Sequence, residues 1–154
     1  MGNGFPMAGV VTRPDLLSLF CEETGYFNTF GGNPVSAAAG AAVLGVIEGE
    51  GLIDNARDVG AYFKSSLTQV LGNRRDIGAV RGAGLFIGLD FVDADGHPDQ
   101  GLATSVINAM KERGILIGAA GLWGSTLKIR PPLCFSRENA DFFVETLKSI
   151  LADR

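Results

Sequence analysis

The first half of the chain carries the spacing of apolar residues that is typical of helices. Between Leu52 and Leu71 apolar residues recur every three or four positions and therefore share one helix face: Leu52, Ala56, Val59, Phe63, Leu67 and Val70. A preceding helix is predicted from Pro34 to Glu48, because Asn33 suits the N-cap and proline suits the first helical position. Residues 13–20 are predicted to open an earlier helix, and residues 21–32 to be a loop.

Short apolar runs predict strands, mostly in the second half of the chain. Residues 77–92 are typical of a hairpin whose turn is RGAG, where Gly82 and Gly84 tolerate a positive φ. Further strands are predicted at 115–121 and 125–133, and one early strand from Ala8 to Thr12. Amphipathic helices are predicted at 102–114 and from Ser136 to the end of the chain.

This order of elements predicts an α/β fold in two parts. From about residue 75 the order is strand, strand, helix, strand, strand, helix, which is typical of a small α+β domain with a mostly antiparallel sheet covered by helices. The early strand has no partner in that sheet, so residues 1–35 are predicted to be the end of a larger α/β domain. Residues 36–74 are then a helical connection, and residues 75–154 the small C-terminal domain.

Composition and charge narrow the class of protein. The chain has 154 residues, 46% hydrophobic and 19% charged, which indicates a soluble globular protein. A formal net charge of −4 provides no basic surface for nucleic acid or an anionic membrane. No signal sequence is evident, and the uncharged apolar run at residues 35–47 is shorter than the ~20 residues of a membrane span. Only two cysteines are present, so a reducing compartment, the cytoplasm, is the expected location.

No metal site is expected from the sequence. His97 is the only histidine, neither cysteine lies at ligand spacing from it, and a solvated loop is its expected environment. Asp93, Asp95 and Asp99 are spaced like part of a calcium-binding loop, but the glycine and the closing glutamate of that motif are missing. A Gly-x-Ser-x-Gly nucleophile motif is missing too.

The predicted strand around LKIR places two cations on one face. Because side chains alternate along a strand, Lys128 and Arg130 share one face, and Leu127 and Ile129 share the other. Two cations followed by a rigid Pro-Pro pair suit the anchoring of a carboxylate or phosphate. An ordinary solvated strand face accounts for the same spacing equally well.

The segment TFGGNP, residues 29–34, also has two interpretations. Free N–H groups at a helix start attract anions, Gly31 and Gly32 permit close approach of the backbone, and Thr29 adds a hydroxyl donor. A capped turn at Asn33 explains the same residues, and capped turns are more common than anion sites. Local physics therefore favours the turn.

Four segments, taken together, resemble the class III pyridoxal-phosphate-dependent aminotransferases: NGFPMAGVVT, YFNTFGGNPVSAAAGAAVLGVIE, VRGAGLFIGLDFV and LKIRPPLCFS. The resemblance covers essentially the whole chain. It implies fold type I, the cofactor pyridoxal 5'-phosphate (PLP), a homodimer, and a two-domain subunit of which this chain is the C-terminal part. By position, Thr29 matches the threonine that donates to the cofactor phosphate of the neighbouring subunit, and Phe30, Gly31 and Gly32 shape that pocket.

The chain departs from the family pattern at the catalytic lysine. The resemblance places that lysine a couple of residues before GNGFPM, and here this segment begins at Gly2. The four lysines present, Lys64, Lys111, Lys128 and Lys148, lie in other sequence contexts. The expectation is that this chain contains no catalytic residue and is inactive alone.

A second departure concerns the substrate. Lys128 stands where many family members carry an arginine that binds the substrate carboxylate. LKIRPPLCFS is therefore more similar to the branch of phospho-lyases, which eliminate phosphate from ethanolamine phosphate or phosphohydroxylysine, or to the neighbouring alanine–glyoxylate type. The resemblance implies that Lys128 and Arg130 bind an amine or amino-acid substrate. Two other hypotheses stay open, a non-catalytic dimerisation or regulatory module and a small anion-binding domain.

Overall fold

The computed structural model describes residues 1–152, and these form two compact units. The first unit is Met1–Gly51 and the second begins at Leu52. The boundaries predicted at residues 35 and 74 refer to the domains of a longer protein and stay predictions. Among the described residues, no single helix is both long and apolar enough to cross a membrane, although two consecutive helices taken together meet that criterion by length and composition.

The first unit contains helices α1 (Pro14–Thr24) and α2 (Pro34–Gly49). The prediction of a loop over residues 21–32 is wrong for its first four residues, because nothing in CEET stops a helix. α1 ends only where Gly25 adopts a left-handed conformation with φ 57° and donates its N–H to the carbonyl of Cys21. The predicted helix start at Pro34 is confirmed, and Asn33 is its N-cap.

The predicted strand from Ala8 to Thr12 is not formed. Residues 6–13 have no regular secondary structure, and the side chains of Val10 and Val11 are fully exposed. A strand requires a partner for its N–H and C=O groups, and the described residues pair none with this segment. The valine-rich pattern was therefore insufficient to predict a strand here.

The second unit confirms the predicted α/β fold with a small antiparallel sheet. Its strands are β1 (Ile77–Ala83), β2 (Phe86–Phe91), β3 (Gly118–Ala120) and β4 (Thr126–Ile129), in the spatial order β1-β2-β4-β3, and every neighbouring pair is antiparallel. Its helices are α3 (Leu52–Leu71), α4 (Gln100–Glu112) and α5 (Arg137–Ala152). The predicted continuation of the last helix to Arg154 lies outside the described residues.

One face of the sheet and the three helices of this unit enclose the core. Alternate residues of β2 and β4 point into it, as the two-residue period of a strand requires. α3, α4 and α5 supply the other side. The core side chains of the strands are Ile87, Leu89, Phe91, Leu127 and Ile129, and those of the helices include Phe63, Leu67, Val106, Met110, Phe143 and Leu147.

The hairpin between β1 and β2 depends on glycine. Its turn lies at Gly84-Leu85, so the prediction that RGAG forms the turn is shifted by about two residues, because the strand continues to Ala83. Gly82 and Gly84 have the predicted positive φ values, 139° and 52°. The turn approaches α3 closely: a Cβ atom on Gly60 would lie 2.2 Å from the carbonyl carbon and oxygen of Gly84.

We expect Gly60→Ala to destabilise the second unit by roughly 1–3 kcal/mol, because the added methyl group collides with backbone that cannot rotate away. Urea unfolding followed by circular dichroism measures the change. Gly45→Ala is the matched control: it lies in α2 and its Cβ would meet nothing within 4 Å. An unchanged or raised stability of Gly60→Ala would contradict this packing.

Candidate functional site

Lys128 lies in strand β4, and Arg130 directly follows the end of that strand. Both line one pocket of about 540 Å³, called the cation pocket below. Leu127 and Ile129, the alternate residues, are almost completely buried in the core. The predicted alternation is therefore confirmed. The remaining residues of the cation pocket are Ile115, Leu116, Ile117, Gly118, Ile129, Pro131, Pro132, Phe135 and Phe143.

Lys128 has no side chain directly beside it on either neighbouring strand. It pairs with Gly88 of β2 on one side and with Gly118 of β3 on the other. A Cβ atom on Gly118 would meet nothing within 4 Å, whereas one on Gly88 would lie 3.3 Å from Cγ2 of Thr126 and 3.6 Å from Nη1 of Arg81. Because side chains alternate along a strand and Leu127 and Ile129 are buried in the core, the side chain of Lys128 leaves the strand on the opposite face, which is called the open face.

The carboxylate on the open face is already engaged. The single nitrogen Nη1 of Arg81 donates to both carboxylate oxygens of Asp90, at 2.8 and 3.0 Å, and the hydroxyl of Thr126 donates to the same carboxylate. In contrast, neither Lys128 nor Arg130 has a carboxylate partner within residues 1–152. The two cations of the pocket are therefore available to an anion.

Arg130 is oriented by an aromatic ring. Its guanidinium carbon lies 5.9 Å from the centroid of the Phe86 ring, within the range of a cation–π interaction. Phe86 begins β2 and is largely exposed. Sequence reasoning missed Phe86, Gly88 and Gly118, because the pairing register that brings them beside the cations cannot be read from local patterns.

The TFGGNP segment forms the capped turn that local physics favoured. The side chain of Asn33 accepts from the N–H of Ser36 at 2.9 Å and donates to the carbonyl of Phe30 at 3.0 Å. The carboxamide oxygen of Asn28 accepts from the N–H of Phe30 at 3.1 Å, and Gly32 has φ 71°. The turn thus satisfies several of its own polar groups around the start of α2.

Some hydrogen-bond donors of this turn remain free. Among residues 1–152, the hydroxyl and N–H of Thr29 and the N–H of Gly32 make no hydrogen bond. Phe30 and Gly31 line a second pocket of about 860 Å³ in the first unit, whereas Thr29 is exposed and lies outside its lining. The structure therefore brings Phe30 and Gly31 to one pocket and does not bring Thr29 into it. Other residues of this pocket include Met7, Thr12, Phe20, Tyr26, Asn28, Gly32 and Ser36.

The acidic loop before α4 is organised by its own backbone. Asp93 accepts hydrogen bonds from the N–H groups of Asp95 and His97, each at 2.9 Å, and these bonds, with that from His97 the larger cause, hold the pKa of the Asp93 carboxyl below its ordinary value. Ligand atoms of Asp93, Asp95 and His97 lie within 4.8 Å of one another, all on exposed residues. Asp99, which the sequence grouped with them, is instead the N-cap of α4. The sequence did not predict that His97 lies beside the carboxylates.

The comparisons with known proteins agree over nearly the entire chain. The profile of the family described as aminotransferase class-III matches residues 1–151. A relative named alanine–glyoxylate aminotransferase 2 homolog 2, mitochondrial, from Arabidopsis thaliana is 46% identical over 149 residues, covering 96% of this chain and 31% of the relative. Ethanolamine-phosphate phospho-lyase homolog 1 from Caenorhabditis elegans is 41% identical over 154 residues, covering 98% of this chain and 33% of the relative.

Solved structures have the same fold. A phospholyase from Arthrobacter, in complex with phosphoethanolamine, superimposes with a TM-score of 0.93 at 42% identity, covering 100% of this chain and 37% of that one. An aminotransferase from Bacillus anthracis gives a TM-score of 0.76 at 34% identity, with 86% of this chain and 32% of that one covered. The chain belongs to the class III aminotransferase family, whose members are PLP-dependent aminotransferases and phospho-lyases. It spans about a third of the length of the relatives named above.

The lowered pKa of Asp93 predicts a pH dependence of stability. A carboxyl group whose pKa is lower in the folded state contributes stability that is fully present above its unfolded pKa, about 3.9, and is lost as the pH falls through the lower folded value. We expect Asp93→Asn to reduce the loss of thermal stability as the pH falls below about 4, the pKa of the carboxyl in the unfolded state. Asp95→Asn is the control, because that carboxylate accepts no hydrogen bond among the described residues. Identical pH profiles for wild type and Asp93→Asn would contradict the assignment.

Proposed function

We propose that this chain is the C-terminal part of a PLP-dependent enzyme that eliminates phosphate from a small phosphorylated amine. The observation that carries the proposal is the cation pocket, whose lining includes both Lys128 and Arg130, neither of which has a carboxylate partner within residues 1–152. Both cations suit a phosphate, because a lysine ammonium is a compact point charge and the planar fork of an arginine matches two phosphate oxygens. The name of the Arthrobacter structure, a phospholyase with phosphoethanolamine, supports the same substrate class.

The residues of this chain would act on the leaving group. In an elimination, a proton leaves one substrate carbon, and the C–O bond on the neighbouring carbon breaks with its electron pair going to the phosphate. Lys128 and Arg130 would hold that phosphate and stabilise the charge that grows on it. Phe86, by keeping the guanidinium of Arg130 over its ring, would orient the second cation.

The cofactor fits the free donors of the TFGGNP turn. A phosphate group is held by hydroxyl and backbone N–H donors near a helix start, and Thr29 and Gly32 offer these. Thr29 would donate to the phosphate of a PLP molecule bound mainly by the neighbouring subunit, beside Phe30 and Gly31. PLP, when bound, supplies an electron sink that makes the substrate proton removable.

The partner surface is proposed to lie on the first unit. Helix α2 has no charged residue between Pro34 and Ile47, yet Gly40 is its one buried residue. Val35, Leu44 and Val46 are exposed, which in a soluble protein marks a surface that another part of the assembly covers. A homodimer of a longer chain is the proposed assembly. The compartment proposed is the cytoplasm, which suits the free, exposed Cys21 and Cys134.

The fragment alone is proposed to be inactive. Its lysines lie on helices or strands of the second unit, at Lys64, Lys111, Lys128 and Lys148, and none of them lies in the PLP-binding part implied by the family. PLP-dependent turnover of ethanolamine phosphate by the purified 154-residue chain would contradict this.

Transamination is the second candidate reaction. It is favoured by the 46% identity with the alanine–glyoxylate aminotransferase relative of Arabidopsis. Both reactions begin with loss of a proton from the substrate, so they require the same cofactor and differ in what leaves afterwards. Binding of a substrate phosphate by Lys128 and Arg130 is the feature that favours elimination over transamination.

We expect Lys128→Gln and Arg130→Gln each to raise the KM for ethanolamine phosphate by about tenfold or more in a longer protein that contains this chain, because each removes one charged hydrogen bond to phosphate. Release of phosphate and ammonia measures turnover. Lys148→Gln removes the same charge from α5, where Lys148 contacts Glu145, and should leave KM unchanged. Turnover of alanine with glyoxylate and none of ethanolamine phosphate would rule out the phosphate-elimination proposal.

We expect Thr29→Ala to lower PLP affinity by about tenfold in the same protein, since a donor to the cofactor phosphate is lost, and Thr29→Ser to retain most of the affinity because it keeps the hydroxyl. Equilibrium dialysis of PLP measures the change. Thr24→Ala is the control, because that hydroxyl is bonded to the carbonyl of Phe20 within α1. Equal PLP affinity for wild type and Thr29→Ala would remove Thr29 from the site.

A further inference from the structure

The segment that follows β4 is held in place from a distant helix. The side-chain nitrogen Nδ2 of Asn55, in α3, donates to the carbonyl oxygens of Leu133 at 2.7 Å and Phe135 at 3.1 Å. These partners are 78 and 80 residues away along the chain. A single carboxamide therefore joins the start of α3 to the segment after the Pro-Pro pair.

Few other interactions hold the segment of residues 130–136 in place. Residues 130–136 are outside every strand and helix. Pro131 and Pro132 have no N–H to donate, so their part of the segment cannot pair with a strand. The segment's own hydrogen bond runs from the N–H of Phe135 to the carbonyl of Pro132 at 3.0 Å, and the ring of Phe135 lies 5.6 Å from that of Phe63.

The same segment forms a wall of the cation pocket. Pro131, Pro132 and Phe135 line the pocket together with Lys128 and Arg130. Arg130 comes directly before the two prolines, so displacement of the segment moves the backbone that carries this guanidinium. The two carbonyls that Asn55 holds thus fix one side of the space an anion would occupy.

We propose that Asn55 is a positioning residue for the substrate phosphate. It touches neither the anion nor the cations, and acts by holding the 131–136 segment so that Arg130 and the wall of the pocket keep their distance from Lys128. This inference rests on the proposed function, since it assumes that the cation pocket binds a phosphate.

The test uses the 154-residue chain, isotope-labelled, with inorganic phosphate as the probe. In Asn55→Ala and in Asn55→Asp, which keeps the size but removes the donor, we expect hydrogen exchange of the Phe135 N–H to be faster by about tenfold and the Kd of phosphate to rise by about threefold or more. Exchange in the buried parts of α4 and β4 should not change. Asn73→Ala is the matched control, since Asn73 is exposed and makes no hydrogen bond among the described residues.

A measurement on the wild-type chain keeps the test independent of how the variants fold. Addition of phosphate should shift the NMR signals of the Phe135 N–H and of the Asn55 side-chain NH2 group. Unchanged exchange at Phe135 in both Asn55 variants, an unchanged Kd, or no shift of these two signals while phosphate binds would overturn the inference. If the wild-type chain binds no phosphate, the proposed anion site is ruled out, and so is the role of Asn55 in positioning the phosphate. The exchange rate of the Phe135 N–H still shows separately whether Asn55 holds the 131–136 segment.

Discussion

The architecture of the second unit depends on the alternation of side chains along β4. Leu127 and Ile129 point into the core against the helices, and this burial fixes which way the strand faces. Lys128 must then lie on the open face, with Arg130 following at the end of the strand. A one-residue slip in register would bury the lysine and expose the leucine, at a cost of several kcal/mol for an unpaired buried charge. The hydrophobic core therefore positions the two cations.

The surroundings of that strand explain why the cations remain available. The strands on both sides of Lys128 contribute glycine at the paired positions; the space over Gly118 is open, and the side chains of Arg81 and Thr126 lie over Gly88. The carboxylate of Asp90 is held by Arg81 and Thr126. Beyond the strand, Asn55 holds the carbonyls of the segment that forms the pocket wall. Each of these contacts joins residues that are distant in sequence.

Sequence patterns were sufficient for the elements that depend on local residues or on a strong period. The helix from Leu52 to Leu71 and the cap at Asn33 are confirmed, because a continuous apolar face and a side-chain cap are local properties. The prediction of a strand from Ala8 to Thr12 was wrong, because a strand forms only where another segment pairs with it. The pairing of two glycines with Lys128 depends on strand register, and the hydrogen bonds from Asn55 depend on tertiary packing. Local sequence patterns contain neither. The motifs that resembled class III aminotransferases predicted the family correctly, since they span both units of the chain.

The proposed function requires Lys128 and Arg130 to bind the phosphate of the substrate. The most direct measurement is a crystal structure of a longer protein that contains this chain, determined with PLP and phosphoethanolamine. We expect a phosphate oxygen about 3 Å from Nζ of Lys128, a normal hydrogen-bond distance, with the guanidinium of Arg130 on the same phosphate. A phosphate bound entirely by other residues, with Lys128 and Arg130 both left in solvent, would contradict it.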